Sequence, residues 1–258
     1  MAVEHHRLPP GGDFIARCAR RLLAHDAGPD LTAWRVVVPN LMIAPAFKRA
    51  LAEAAGRNLL LPPVETLQVH LAPWAARYGA MSDTRRQFTL YRQLRDRRWF
   101  AQGNLWALCA EFIALFDALT EHGARLPADA DALAEQLAAA YHARQDGALR
   151  FEASVVHQLW FAETAGPPSL TAARLLGAAH WTRDAPAPLL VIAEGPLPAP
   201  WQAWLTAHGA RVPVIVCEAD RHCGADPLLA LLDAAWPPAP TASLTARVAA
   251  LPADAMAD

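Results

Sequence analysis

Lysine is almost missing from this chain of 258 residues: Lys48 stands alone, and arginine supplies every other permanent cation. That scarcity excludes two kinds of nucleic-acid enzyme. A P-loop NTPase needs a lysine beside Ser or Thr at the end of a Gly-rich turn, where it reaches the β/γ-phosphates. Lys48 sits instead in Ala46-Phe47-Lys48-Arg49, with no glycine before it. A PD-(D/E)XK-type nuclease needs an acid two positions before its lysine, and here that position is Ala46. Cysteine is sparse as well. Cys18, Cys109, Cys217 and Cys223 show no repeated CxxC spacing, too few and too scattered for a secreted disulfide scaffold, so a reducing cytoplasm is the expected compartment. Residues 1–12 lack the apolar core of a signal peptide, and no apolar run approaches the ~20 residues of a membrane span. No Gly-x-Ser-x-Gly elbow is present, and serine is scarce. A net charge of −2 argues against wholesale adhesion to DNA or membrane, so any such contact must come from local asymmetry.

The composition is that of a folded chain, with 54% hydrophobic and 19% charged residues. Phe14, Cys18 and Leu22 recur at helical spacing behind Asp13, which predicts a capped helix. Trp34–Val38 is a short β-branched run stopped by Pro39 and predicts a buried strand. A helix over residues 44–55 follows, closed by Gly56, and the apolar run at residues 58–61 reads as a second strand ended by Pro62-Pro63. Helix, strand, helix, strand is the grammar of an open α/β sheet.

From Thr66 to Trp181 the strand signal disappears. Leu105, Leu108, Phe112, Leu115 and Leu119 predict one helical stripe between Asn104 and Gly123, and Leu133, Leu137 and Tyr141 predict another. Residues 151–162 and 169–181 read as two further helices. Strands then return at residues 189–193 and 212–217, around a helix at 200–208, a spacing that allows only a parallel crossover. The expected division is an α/β half over residues 1–65, an all-helical insertion over 66–183, the return of the sheet over 184–222, and a tail over 223–258.

The chemistry-bearing groups are few. Arg85, Arg86, Arg92, Arg95, Arg97 and Arg98 crowd one predicted helix, opposed by Asp96 and interleaved with Phe88, Tyr91, Trp99 and Phe100. Such a helix can track a nucleic-acid backbone, with Arg85, Arg86, Arg92, Arg95 and Arg98 as the DNA-contacting set. Equally, its arginines can pair with acids of neighbouring helices. Cys217, His222 and Cys223 offer three donors to a metal, but buried thiols and a loop histidine explain them as well. Glu4-His5-His6 reads as a solvated arm. Glu194 and Glu218 each follow an apolar strand, as a magnesium-holding acid does in an NTPase; without a phosphate-binding turn they read as strand-end polar residues. No cofactor is expected.

The order of segments resembles the start of AddB-type helicase–nuclease proteins. The residues that carry the likeness are Arg7-Leu-Pro-Pro-Gly-Gly-Asp-Phe14, Arg35-Val-Val-Val-Pro39 and Leu59-Leu-Leu-Pro-Pro-Val-Glu-Thr-Leu67. Asp83-Thr-Arg-Arg-Gln87, Arg97-Arg-Trp-Phe100, Leu149-Arg-Phe-Glu152 and His157-Gln-Leu-Trp160 continue it. The resemblance implies a mostly parallel open sheet like the motor domain of UvrD-like helicases, lacking a P-loop and carrying a large helical insertion. It also implies a scaffold or DNA-scanning role, with DNA and a helicase–nuclease partner subunit as partners. The family's phosphate-binding turn corresponds to Pro10-Gly11-Gly12-Asp13, where no Gly-Lys-Thr/Ser exists. After Pro39 relatives often carry arginines; here Asn40-Leu41-Met42 stand instead. A protein-interaction scaffold, and a small-molecule enzyme using the sheet-end crevice near Gly195 and Glu218, are the competing expectations.

Overall fold

The computed structural model describes residues 3–100, 103–142, 144, 146–220 and 223. Five strands, β1 (Val3–Leu8), β2 (Arg35–Val38), β3 (Val64–Thr66), β4 (Leu189–Ala193) and β5 (Val214–Ala219), form one sheet in the order β1-β5-β4-β2-β3. Every pairing is parallel. A parallel sheet must be covered on both faces, which is why β4 reads Leu-Leu-Val-Ile-Ala without a polar break and is buried along its whole length.

Alternation along the strands divides that burial between two layers. Val36, Val38, Leu190, Ile192, Ile215 and Cys217 face helices α1 (Phe14–His25) and α2 (Ile43–Ala55), where Leu22, Phe47 and Leu51 are fully buried. Val37, Leu189, Val191, Val214 and Val216 face the opposite layer, which comprises α3 (Leu67–Ala75), α8 (Leu170–Asp184) and α9 (Ala199–Gly209). The helical insertion therefore begins and ends on the sheet itself. Between α3 and α8 a 3-10 turn, Ala76–Tyr78, leads into α4 (Asp83–Arg97), α5 (Leu105–Glu121), α6 (Ala130–Tyr141) and α7 (Gly147–Thr164). Helices α4, α5 and α7 share a separate core of Leu90, Leu94, Cys109, Phe112, Phe116 and Leu159. Side-chain oxygens of Ser82, Asn104, Asp129, Asp146 and Ser169 accept from backbone N–H groups three residues on, capping α4 to α8 in turn.

Several expectations need correction. Glu4-His5-His6 is not a solvated arm: it lies within β1, an edge strand paired with β5 from Val3↔Val214 to Leu8↔Ala219. The strand expected at residues 58–61 forms after Pro62-Pro63 instead, as β3; Leu60 makes one isolated bridge to Asp30 and is 59% exposed. The stripe of α5 is rotated, burying Cys109, Phe112, Ile113 and Phe116 and leaving Leu115 exposed. Tyr141 is exposed rather than part of a buried stripe. Asp13 does not cap α1 through its side chain but pairs with Arg17 at 2.7 Å. The tail from 224 onwards lies outside the described residues.

Helices α3 and α8 approach closely at Gly177, where a Cβ would lie 2.8 Å from the Ala75 backbone nitrogen and 3.1 Å from the Trp74 carbonyl carbon. Backbone atoms cannot yield as a flexible side chain does. Gly177→Ala is expected to cost about 1–3 kcal/mol by overpacking, read as a lowered midpoint in a denaturant titration.

Two histidines flank Trp181 in the same layer, with ring centroids 4.3 Å (His70) and 4.4 Å (His208) from it. His208 donates from Nε2 to the Ala187 carbonyl at 3.0 Å and accepts at Nδ1 from Thr182 Oγ1 at 2.8 Å; Trp204 Nε1 in turn donates to Thr182 at 2.9 Å. His70 meets Glu65 through Nδ1 at 3.2 Å, while its buried Nε2 has no partner. Burial lowers both pKa values below the ordinary 6.5, against the opposing effect of Glu65 on His70 and of the Ala187 carbonyl on His208. A histidine whose folded pKa is depressed binds its proton more readily when unfolded. Its contribution to stability is complete above about pH 6.5 and is lost as pH falls toward the folded value. Thermal melts should give a constant midpoint from pH 7.5 to 7, then a decline below pH 6.5 that His208→Gln reduces.

Candidate nucleic-acid face and strand-end crevice

The direction in which successive connections cross the parallel sheet reverses between β2 and β4. From β2 the chain passes outward through α2 to β3, and from β4 it passes the other way through α9 to β5. The two connections cover opposite faces, so the loops leaving the carboxyl ends of β2 and β4 part and leave a crevice, the usual ligand position in an open α/β sheet. That crevice measures about 580 Å³. Val38, Leu67, Trp201 and Leu205 contribute its apolar wall, and Arg174 and Glu121 reach it from α8 and α5. No ion pair engages Arg174 among the described residues. Beside it the loop after β2 exposes Leu41 and Met42, the latter at 86%, where Asn40 Oδ1 accepts from the Met42 backbone N–H at 3.0 Å.

A second hollow of about 440 Å³ opens at the ends of β1, β4 and β5, lined by Arg7, Pro10, Glu194, Gly195 and Glu218. Arg7 and Glu218 are register neighbours on β1 and β5. The turn after β1 is Pro9-Pro10-Gly11-Gly12, which supplies no cation to a phosphate. Among the described residues no group of three His, Cys, Asp or Glu could hold a metal. His222 of the suggested Cys217–His222–Cys223 set lies outside them; Cys217 is fully buried in β5, and Cys223 donates to Asp220 at 3.6 Å.

Helix α4 separates the candidate arginines into two chemistries. Arg86 is 2% exposed and occupied: Nη2 and Nε reach Glu163 Oε1 at 2.6 and 2.9 Å, and Nη1 meets Asp117 at 2.9 Å and Asp83 at 3.0 Å. It is a brace between α4, α5 and α7, so it leaves the DNA-contacting set. Burial alone would lower its pKa; hydrogen bonds to Asp117 and Glu163 outweigh that and hold it above the ordinary guanidinium value. Glu163 is pushed up by its own burial, partly offset by Arg86. Arg85, Arg92, Arg95 and Arg98 are exposed. Arg95 pairs with the adjacent Asp96 at 2.8 Å, a contact open to solvent and weak in stability terms. Arg85, Arg92 and Arg98 have no ion-pair partner among the described residues, and Arg98 caps the helix in the left-handed region at φ 52°. Arg97 lies over the Trp99 ring at 4.6 Å.

The aromatic residues divide as sharply. Trp99, Phe100 and Tyr91 pack against the helical core, whereas Phe88 is 56% exposed and touches Trp106 of α5. Trp106, 40% exposed, was not apparent from the α4 segment because it belongs to the next helix. Of the three acids that claim Arg86, Asp83 is three residues away on the same helix, whereas Asp117 and Glu163 lie 31 and 77 residues away and leave no local sequence signal.

No family model matches this chain, and no curated protein matches it significantly. Among the described residues no helix is long and apolar enough to cross a membrane.

Removing Arg86 would leave Glu163 and Asp117 without their cation inside the helical block. Arg86→Met should destabilise the protein by about 3 kcal/mol, as for other broken buried pairs, while Arg92→Gln should stay within about 0.5 kcal/mol of the parent. Thermal melts of both variants at pH 7 test the contrast.

Proposed function

We propose that this chain is the non-catalytic, helicase-like α/β module of an AddB-type helicase–nuclease, and that its helical block makes weak contact with DNA. The observation that carries this reading is the set of exposed arginines in and just after α4: Arg85, Arg92 and Arg98 have no ion-pair partner among the described residues, while Arg86, which braces three helices, is buried. Supporting it, the turn after β1 and the acids Glu194 and Glu218 surround one hollow at the strand ends. An NTPase would hold nucleotide and magnesium with such a turn and acid, but no lysine is available to reach the phosphates. The module therefore serves as scaffold and DNA-contacting surface rather than motor, and a partner subunit supplies the chemistry. The 580 Å³ crevice with Arg174 and Glu121 favours a second reading, a small-ligand site at the reversal of the sheet.

Steady-state ATP hydrolysis should stay at background with or without single-stranded DNA, and calorimetry with MgATP should give no binding heat. Fluorescence anisotropy with a labelled oligonucleotide should show binding at low salt only, with a log–log salt slope of roughly −2 for three phosphate contacts on a single strand. The double variant Arg85→Glu/Arg92→Glu should lose it without a change in melting temperature. Hydrolysis above background, or DNA affinity unaltered in that variant, would contradict the reading.

A further inference from the structure

We infer that the exposed Phe88–Trp106 pair is a stacking platform for bases of single-stranded DNA, set between Arg85 and Arg92; this rests on the DNA-contact reading above and assigns it a strand type and a mode. Residues 85, 88 and 92 follow i, i+3, i+7 and share one helical face. Seven residues place Arg85 and Arg92 about 10 Å apart along the axis, with Phe88 between them. Phe88 and Trp106 meet edge to face, with centroids 5.0 Å apart and planes at 68°, so each ring keeps a surface open to solvent. The pair is also fixed in place. Tyr91 packs against Trp106 at 6.0 Å from the core side, and Gln87 Nε2 donates to the Trp106 carbonyl at 3.0 Å. Two large rings held this exposed leave apolar area uncovered, and the nearest helical charges, Arg85 and Arg92, have no acidic partner among the described residues. A complementary ligand must present negative charge and flat apolar faces together. Single-stranded DNA does so; a duplex hides its base faces inside the stack.

The test uses the full chain and three labelled probes of equal length: oligo-dT, an abasic strand and a duplex. Anisotropy at low salt should rank oligo-dT at least about 5-fold above the abasic strand, the lower bound for one stacked base, and above the duplex. Phe88→Leu keeps an apolar contact with Trp106 but no ring, and should bring oligo-dT down to the abasic level without weakening abasic binding. Trp106→Phe retains a ring and should keep part of the preference, while Arg85→Glu/Arg92→Glu should weaken all three probes. Equal affinity for oligo-dT and the abasic strand, with both still sensitive to the arginine change, would overturn the platform while leaving arginine contact intact. Absence of binding to every probe would overturn both. Concentration-dependent self-association in sedimentation, abolished by Phe88→Leu, would show a protein interface there and likewise overturn the platform.

Discussion

A parallel sheet exposes main-chain ladders that only side chains and helices can shelter, and neither of its faces can be left in water. The remaining architecture follows from that constraint. Helices α1 and α2 cover one face; α3, α8 and α9 cover the other, closing over Trp181, Trp201 and Trp204. The long excursion from β3 to β4 can therefore be large without harming the sheet, because its first and last helices perform the covering that a single crossover helix would. Gly177 marks how close those two helices must come. The intervening helices, α4 to α7, bury one another and owe the sheet nothing, which leaves the outer face of α4 available for another purpose.

That division explains why one short helix holds both structural and candidate functional arginines. Burying a guanidinium is tolerable only where carboxylates and hydrogen bonds surround it, and Arg86 has three acids within 3.0 Å. Among the described residues Arg85, Arg92 and Arg98 have no such acidic partner, and Arg95 has only the exposed Asp96. The same logic places Phe88 and Trp106 outside a core that already contains Phe112, Phe116 and Trp160. The crevice between β2 and β4 arises from topology alone, and its walls come from strands, loops and the ends of α5 and α8.

Much of this was legible in the chain. The strands β2, β4 and β5 are apolar runs with no competing period, and their spacing around α9 dictates a parallel unit. The helical block was readable from the loss of strand signal after Thr66 and from the Asn104 cap, though not the buried face of each helix. What escaped did so for physical reasons. β1 carries Glu4, His5, His6 and Arg7, and as an edge strand it buries only Leu8, so no run of apolar residues announces it. β3 begins after two prolines, where the Pro63 carbonyl accepts from Val36 N–H, and a reading that ends strands at proline misplaces it. On α5 nearly every residue is apolar, so composition could not choose between the face of Leu108 and that of Cys109 and Phe116. Arg86 looked like its neighbours because two of the three acids that hold it, Asp117 and Glu163, are distant in sequence.

The central claim is that the outer face of α4, and not the crevice, meets DNA. Arginine footprinting with a dicarbonyl reagent, read by peptide mass spectrometry with and without a saturating single-stranded oligonucleotide at low salt, tests it most directly. The account predicts that Arg85 and Arg92 react in the free protein and are protected by DNA, that Arg86 is inert in both states, and that Arg174 reacts alike in both. Protection of Arg174 with Arg85 and Arg92 unchanged would move the site to the crevice and contradict it.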